Sequence, residues 1–585
     1  MKTRCPADLV LLNGNVVTVD RTFSITEAVA IRDGRILAVG PSTAISSLVD
    51  DQTEVLDLKG HTVLPGIVES HIHVLGLATL KPPLCLDLSY PNVKSIQDVV
   101  TRVQKKAESL QPGEWVRGYG FYESNLSECQ VEKGRRPTRW DLDPVSPNNP
   151  VCLLDFSGEH TVWANSKAIE LAGININTPE PTGGTIIRDV DTGEPTGLLE
   201  EVGASVLVQQ ILPKWSAEEK RSGILAAMKM LNSMGVTSFI EPGIGPNTEK
   251  LFGGAMENDA IRIFNALYQE GKLTARVSIL LTFGEYLSMN GLSLEKMKAY
   301  LHDVATNTGF GNDFLKIGGI KLAADSFYFT QTSWMYEPYG DGGTGALVVQ
   351  GVDENDRYNE LIEMIRYASK RRFQLGIHVT GDRAIDAVVD GYIHALSEDP
   401  WDARHYLIHG PCVTPECARR MAQHDIGIST NSLCKRMIHE QEEIVLGSDR
   451  ASQAWPYRTL VDAGVHLADA SDAPVTHPDW KQGVAALMTR KSAAGNVAGP
   501  EECLTVEEAI RAWTIEGAWL DHADHLKGSI EVGKLADLCV LDQNILTVDP
   551  EEIPNISTLL TLLDGKIVFN SEPDTLHVCR GKKSL

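Results

Sequence analysis

Apolar runs of strand length recur eight times through the middle of this chain, and helical or inserted segments separate them. The runs cover residues 61–73, 236–241, 276–281, 314–322, 374–378, 405–409, 426–429 and 465–469. Between them lie amphipathic stretches such as residues 358–370 and 414–424, with the i, i+3, i+4 spacing of half-buried helices. Ser216-Ala217-Glu218-Glu219 is a capping-box start to a helix that ends near Gly235. Eight such units predict an α/β fold of closed-barrel type, a distorted TIM (β/α)8 barrel, rather than an open doubly wound sheet. No GxGxxG follows a strand, so a dinucleotide-binding reading lacks its key feature. One interval breaks the rhythm. Residues 78–215, rich in Pro, Gly and Trp, read as an insertion after the first barrel strand, shaping the substrate site.

The two ends of the chain share a different grammar. Leu9–Leu12 leads through Asn13-Gly14 to residues 16–19, and residues 28–31 lead through Asp33-Gly34 to residues 36–39. Near the C-terminus, Asp564-Gly565 divides another pair of apolar runs. Asn-Gly and Asp-Gly suit two-residue hairpin turns because both central residues take positive φ. Neither end has enough strands to bury a face alone. They are expected to form one small β-sandwich domain, residues 1–62 with 525–585, around a barrel spanning 63–524.

Composition narrows the function class. A formal net charge of −25 argues against nucleic acid or an anionic membrane as partner, because binding phosphate needs a basic face. The ten cysteines show no CxxC pairing, which fits a reducing compartment. No stretch approaches 18 uninterrupted apolar residues, and the N-terminus reads as a strand rather than a signal peptide. A cytoplasmic protein acting on a small molecule is expected, with a homodimer the base-rate assembly.

Metal-competent side chains sit where the predicted strands end. The first strand closes on Glu69-Ser70-His71-Ile72-His73, and residues i and i+2 of a strand share a face. Two imidazoles side by side suit a divalent metal, although an HxH alone is weak evidence. Later strands end at Lys321, His378, His409 and Asp472. In a barrel these distant residues converge on the C-terminal rim, where such folds place their chemistry.

The pattern Pro65-Gly66 followed by His71-Ile72-His73 resembles the opening signature of the amidohydrolase superfamily. Further segments resemble its branch of N-substituted formamide deformylase and related metal-dependent hydrolases. They include Glu159-His160-Thr161-Val162-Trp163, Lys321-Leu322-Ala323-Ala324-Asp325-Ser326, His378-Val379-Thr380-Gly381-Asp382-Arg383 and Ser471-Asp472-Ala473-Pro474. The resemblance implies one or two divalent ions, zinc by default, with manganese, iron or cobalt also compatible. It places His71, His73 and Asp472 on the first metal and His378 and His409 on the second. Lys321 would bridge the two as an N-carboxylated lysine, since free lysine is cationic and a poor ligand. The implied reaction is hydrolysis of a C–N bond in an amide, N-formyl or related group, with Asp472 as general base and acid. Deamination, or lyase or decarboxylase chemistry on the same frame, is the alternative enzymatic reading, and a non-catalytic scaffold is the alternative of another class.

Five residues are candidates for contacting substrate: His160, Trp163, Asp382, Arg383 and Phe327. Trp163 reads equally as a core anchor, and Asp382 and Arg383 equally as a pair that holds their loop. Several positions depart from the usual family pattern. Glu69 stands where Asp is usual, Ile408 where Glu is common, and Ser326-Phe327 where Gly-Ser is common. Together the departures suggest an altered, more apolar pocket.

Overall fold

A computed structural model describes residues 6–581, apart from 91, 131–134, 156–160, 182–183, 247, 249–254, 285–289, 305, 341, 575 and 577. The chain divides into two compact units, one of Met1–Ile72, Met228–Ile244 and Phe264–Leu585, the other of His73–Ala227 and Gly245–Ile263.

The first unit contains a nearly closed sheet of eight parallel strands. In order these are Ile67–Glu69, Val236–Ile244, Arg276–Leu281, Leu315–Ala323, Leu375–Val379, Tyr406–His409, Gly427–Thr430 and Leu467–Asp469. All eight expected strands are present, in sequence order around the sheet, as a distorted TIM barrel requires. The expected first strand is split at Gly66. Thr62–Pro65 belongs to a different sheet, and only Ile67–Glu69 joins the barrel. Gly66 is the joint because nothing larger fits: a Cβ there would lie 2.1 Å from Thr237 Oγ1 on the second barrel strand. The helices Glu354–Lys370 and Pro415–Gln423 fall on the two amphipathic stretches, capped by the side chains of Asp353 and Thr414.

Both chain ends supply a β-sandwich in the same unit. One sheet runs Cys579–Arg580, Glu54–Asp57, Leu9–Leu12, Ala28–Arg32, Arg35–Gly40. The other runs Lys566–Asn570, Thr558–Leu563, Leu538–Leu541, Thr62–Pro65, Asn15–Val17, Ile25–Thr26. Their inner faces share a core of Leu9, Leu11, Val29, Leu56, Val63, Leu538, Val540 and Leu560, among others. Val10 and Leu12, on the alternate face of their strand, enter a second cluster instead, as the two-residue period dictates.

Two of the three expected hairpins form. Asp33-Gly34 and Asp564-Gly565 turn with φ of 50° and 72°, and 54° and 72°. Asn13-Gly14 does not make a hairpin. Leu9–Leu12 pairs with the strands at 28–32 and 54–57, whereas Asn15–Val17 pairs with those at 25–26 and 62–65. The turn therefore carries the chain from one layer of the sandwich to the other. Gly14 is needed there because a Cβ would fall 2.4 Å from Leu58.

The second unit holds a mixed six-stranded sheet in the order 185–188, 195–200, 161–164, 151–155, 116–121, 86–87. Its core gathers Val99, Val103, Val116, Phe121, Leu153, Trp163 and Leu198. Among the described residues no helix is long and apolar enough to cross a membrane, and none of the nine described cysteines is in a disulfide.

Candidate metal centre

The ends of the first and eighth barrel strands are laced together residue by residue. Glu69 Oε1 accepts the backbone N–H of Ser471 at 2.9 Å. Ser70 Oγ donates to the Asp469 carbonyl at 2.9 Å and lies 2.8 Å from Ser429 Oγ. The backbone N–H of Asp472 donates to the His71 carbonyl at 3.0 Å. This lacing brings His71 Nε2 to 3.3 Å from Asp472 Oδ1. Both Asp472 and His409 hold left-handed backbone, with φ of 55° and 73°. Such a conformation is costly for residues with a Cβ, and persists where the surroundings over-determine it.

His71, His409 and Asp472 form a buried cluster in which one donor atom from each lies within 4.8 Å of the others. His378 joins by its ring, 4.6 Å from that of His409 and nearly perpendicular to it. The ladder sets this up, since the fifth and sixth strands pair with His378 opposite Ile408 and Val379 opposite His409. The Ser326 carbonyl lies 3.1 Å from His378 Nε2. A carbonyl can only accept, so Nε2 carries the proton and Nδ1 the lone pair. Lys321 is buried on the fourth strand, opposite Gly376.

Burial dominates the electrostatics. It pushes His71 and His378 well below the ordinary imidazole range, and the Lys321 charge acts in the same direction on both. His409 is lowered to about 4, mainly by burial, against the opposing pull of Asp472. Burial lowers Lys321 to about 7, again against Asp472. The three imidazoles are therefore neutral at pH 7, the state in which they donate a lone pair. Glu69 is raised to about 8 by burial, so its carboxyl is largely protonated.

The positions of the expected residues follow from these elements. The barrel strand stops at Glu69, so His71 and His73 do not share a strand face; His73 is buried in the second unit, at the N-cap of the helix Val74–Leu80. Phe327 lies beside the donor cluster, its half-buried ring 4.9 Å from that of His378 and perpendicular to it. Trp163 is a core anchor. It is fully buried against Phe121, and its indole N–H donates to the Thr138 carbonyl at 2.9 Å. Asp382 and Arg383 hold structure, but not by pairing their side chains. Asp382 Oδ1 accepts the backbone N–H groups of Tyr336 and Arg383, at 2.9 and 2.7 Å. The Arg383 guanidinium pairs with Glu354 and stacks 4.1 Å from the centre of the Trp334 ring. His160 lies outside the described residues.

Two further buried residues support the cluster: Asp325, inside the Lys321-to-Ser326 segment but given no role by the sequence, and Asn431, outside every motif. Asp325 accepts the backbone N–H groups of Thr380, Gly381 and Trp334 at 2.9, 2.9 and 3.1 Å, tying the loop after the fourth strand to the loop after the fifth. Asn431 follows the seventh strand and meets His409 Nδ1 with its Oδ1.

A model of the amidohydrolase family matches residues 54–569. The chain is 30% identical to N-substituted formamide deformylase of Arthrobacter pascens over 96% of its own length and 98% of that protein. It is 28% identical to the putative amidohydrolase YtcJ of Bacillus subtilis, over 93% and 96%. Among solved structures, an uncharacterised metal-dependent hydrolase from Pyrococcus horikoshii superposes with a TM-score of 0.72 at 22% identity, covering 93% of this chain and 99% of that one. The counterpart from Pyrococcus furiosus gives 0.69 at 24% identity, over 92% and 100%.

Proposed function

Because the chain belongs to the amidohydrolase family, hydrolases acting on C–N bonds other than peptide bonds, we propose that it hydrolyses an amide, N-formyl or related bond of a small molecule at a divalent-metal centre. The observation that carries this reading is the convergence of His71, His409 and Asp472 within 4.8 Å, with His378 beside them. The donor chemistry fits a cation. Neutral imidazoles, a carboxylate and a buried lysine are grouped where unpaired charge is costly. His71, His378, His409 and Asp472 would hold the metal; the sequence adds His73, and Lys321 once carboxylated.

When bound, a divalent ion acidifies water and polarises a carbonyl, which supplies the electrophilic part of the chemistry. The protein's own part is proton transfer and placement. Asp472 takes a proton from the attacking water at a carboxylate oxygen and returns it to the leaving nitrogen, releasing a carboxylic acid and an amine. Lys321 is suited to carboxylation because burial lowers its amine to about 7, which leaves a substantial neutral fraction at neutral pH. Phe327, edge to face with His378, gives the substrate an apolar wall. Zinc is the first choice of metal for a histidine-rich site, while a carbamate and a carboxylate also suit manganese, iron or cobalt.

The test is a panel of N-acyl, N-formyl and cyclic amides offered to the metal-loaded protein, with amine, ammonia and carbon dioxide followed in parallel. Amine release from at least one member is expected. Ammonia or carbon dioxide in its place would move the chemistry to deamination or decarboxylation.

A further inference from the structure

His409 is held by a side chain that none of the catalytic motifs contains. Asn431 is fully buried immediately after the strand Gly427–Thr430, and its Oδ1 faces His409 Nδ1. Its Nδ2 donates to the Ala470 carbonyl at 3.2 Å. A carbonyl can only accept, so the amide has one orientation. Nδ2 must point to Ala470, and the oxygen must point to the imidazole. An amide oxygen is also only an acceptor, so the ring nitrogen facing it must carry the proton.

We propose that Asn431 is a positioning residue that locks His409 in its Nδ1-protonated tautomer, leaving the lone pair at Nε2, and ties that ring to the segment carrying Asp472. This inference rests on the metal-centre reading above for its purpose, though not for its tautomer. One side chain grips two members of the cluster. It holds the His409 ring directly and Asp472 through Ala470, two residues upstream. His409 needs such a grip because its own backbone is left-handed, at φ 73°. A neutral imidazole in the other tautomer would turn an N–H where the lone pair is required. Partners of this kind typically change metal affinity by roughly 10–100-fold when removed.

The experiment uses 15N-histidine-labelled, metal-free full-length protein, with the His409 signals identified by their loss in His409→Asn. Long-range proton–nitrogen spectra are expected to show Nδ1 protonated. Zinc affinity, read by chelator competition, is expected to fall roughly 10–100-fold in Asn431→Leu, with His409 now sampling both tautomers. Asn431→Asp, which keeps an oxygen toward the ring but loses the N–H that reaches the Ala470 carbonyl, should keep His409 Nδ1 protonated. A parent spectrum with Nε2 protonated overturns the proposal, as does an unchanged tautomer and affinity in Asn431→Leu. If Asn431→Leu does not fold, the parent spectrum and the Asn431→Asp spectrum decide. A parent that binds no zinc would defeat the metal-centre reading, while the spectrum would still judge the role of Asn431.

Discussion

At the scale of single residues, Asp472 and Lys321 have separable duties. Asp472 lies 3.3 Å from His71 in a backbone conformation fixed by hydrogen bonding to the His71 carbonyl. Replacing Asp472 by Asn keeps an oxygen donor and the shape but removes the base. The variant should keep much of its metal and lose turnover by about 10²–10⁴-fold or more. Full activity would remove Asp472 from the proton pathway. Lys321 gives a pH signature in the metal-free protein. Its pKa is lowered in the folded state, from 10.5 to about 7, so between those values the unfolded chain binds the extra proton. Stability is then fully present above the unfolded value and is lost as pH falls toward 7. In bicarbonate-free buffer, unfolding by denaturant should show the metal-free parent gaining stability from pH 7 to 9, relative to Lys321→Met. The slope approaches about 1.4 kcal/mol per pH unit. A constant difference across that range would mean that Lys321 is not buried as an amine.

At the scale of elements, the structure shows what a sequence pattern carries and what it does not. All eight barrel strands were legible, because buried parallel strands are runs of apolar residues between helical periods. His71, His378, His409 and Asp472 were legible because each stands at or just past a strand end. The split at Gly66 was not legible. It depends on Thr237 crowding the joint from a strand 171 residues later in the chain, from position 66 to 237. Gly66→Ala should therefore destabilise by about 1–3 kcal/mol, the range for overpacking a filled site, with denaturant unfolding as the check. The layer crossing at Asn13-Gly14 was misread as a hairpin because its local chemistry equals that of the two true hairpins, and only the pairing partners differ. The role of Asp325, although it sits in a quoted motif, and that of Asn431 were not legible. Their work is to satisfy buried N–H groups and one ring nitrogen, which no spacing rule marks. Trp163 showed the opposite difficulty, because the same residue type serves a core and a binding platform. Its complete burial and its bond to Thr138 decide for the core.

At the scale of the whole molecule, the terminal sandwich and the barrel of the first unit are fastened by a buried ion pair. Arg276 opens the third barrel strand and grips Asp537 with two nitrogens, at 2.7 and 2.9 Å. Asp537 Oδ1 also accepts the backbone N–H of Asp564 at 2.9 Å, in the turn of the C-terminal hairpin. Removing Asp537 takes the two-nitrogen partner from the buried Arg276 and leaves it the longer approach to Asp564, at 3.7 Å. Asp537→Ala should cost about 3–5 kcal/mol, and an equilibrium unfolding curve would show it; a loss below about 1 kcal/mol would mean the two bodies do not depend on this contact. In the proposed function this frame holds a metal for hydrolysis of a C–N bond. Its most direct measurement is amine release from an N-acyl or N-formyl substrate found in the panel, followed before chelation, after chelation and after return of zinc, manganese, iron or cobalt. Release is expected to stop on chelation and to return with a divalent ion. Release that continues unchanged in the fully metal-stripped protein would contradict it.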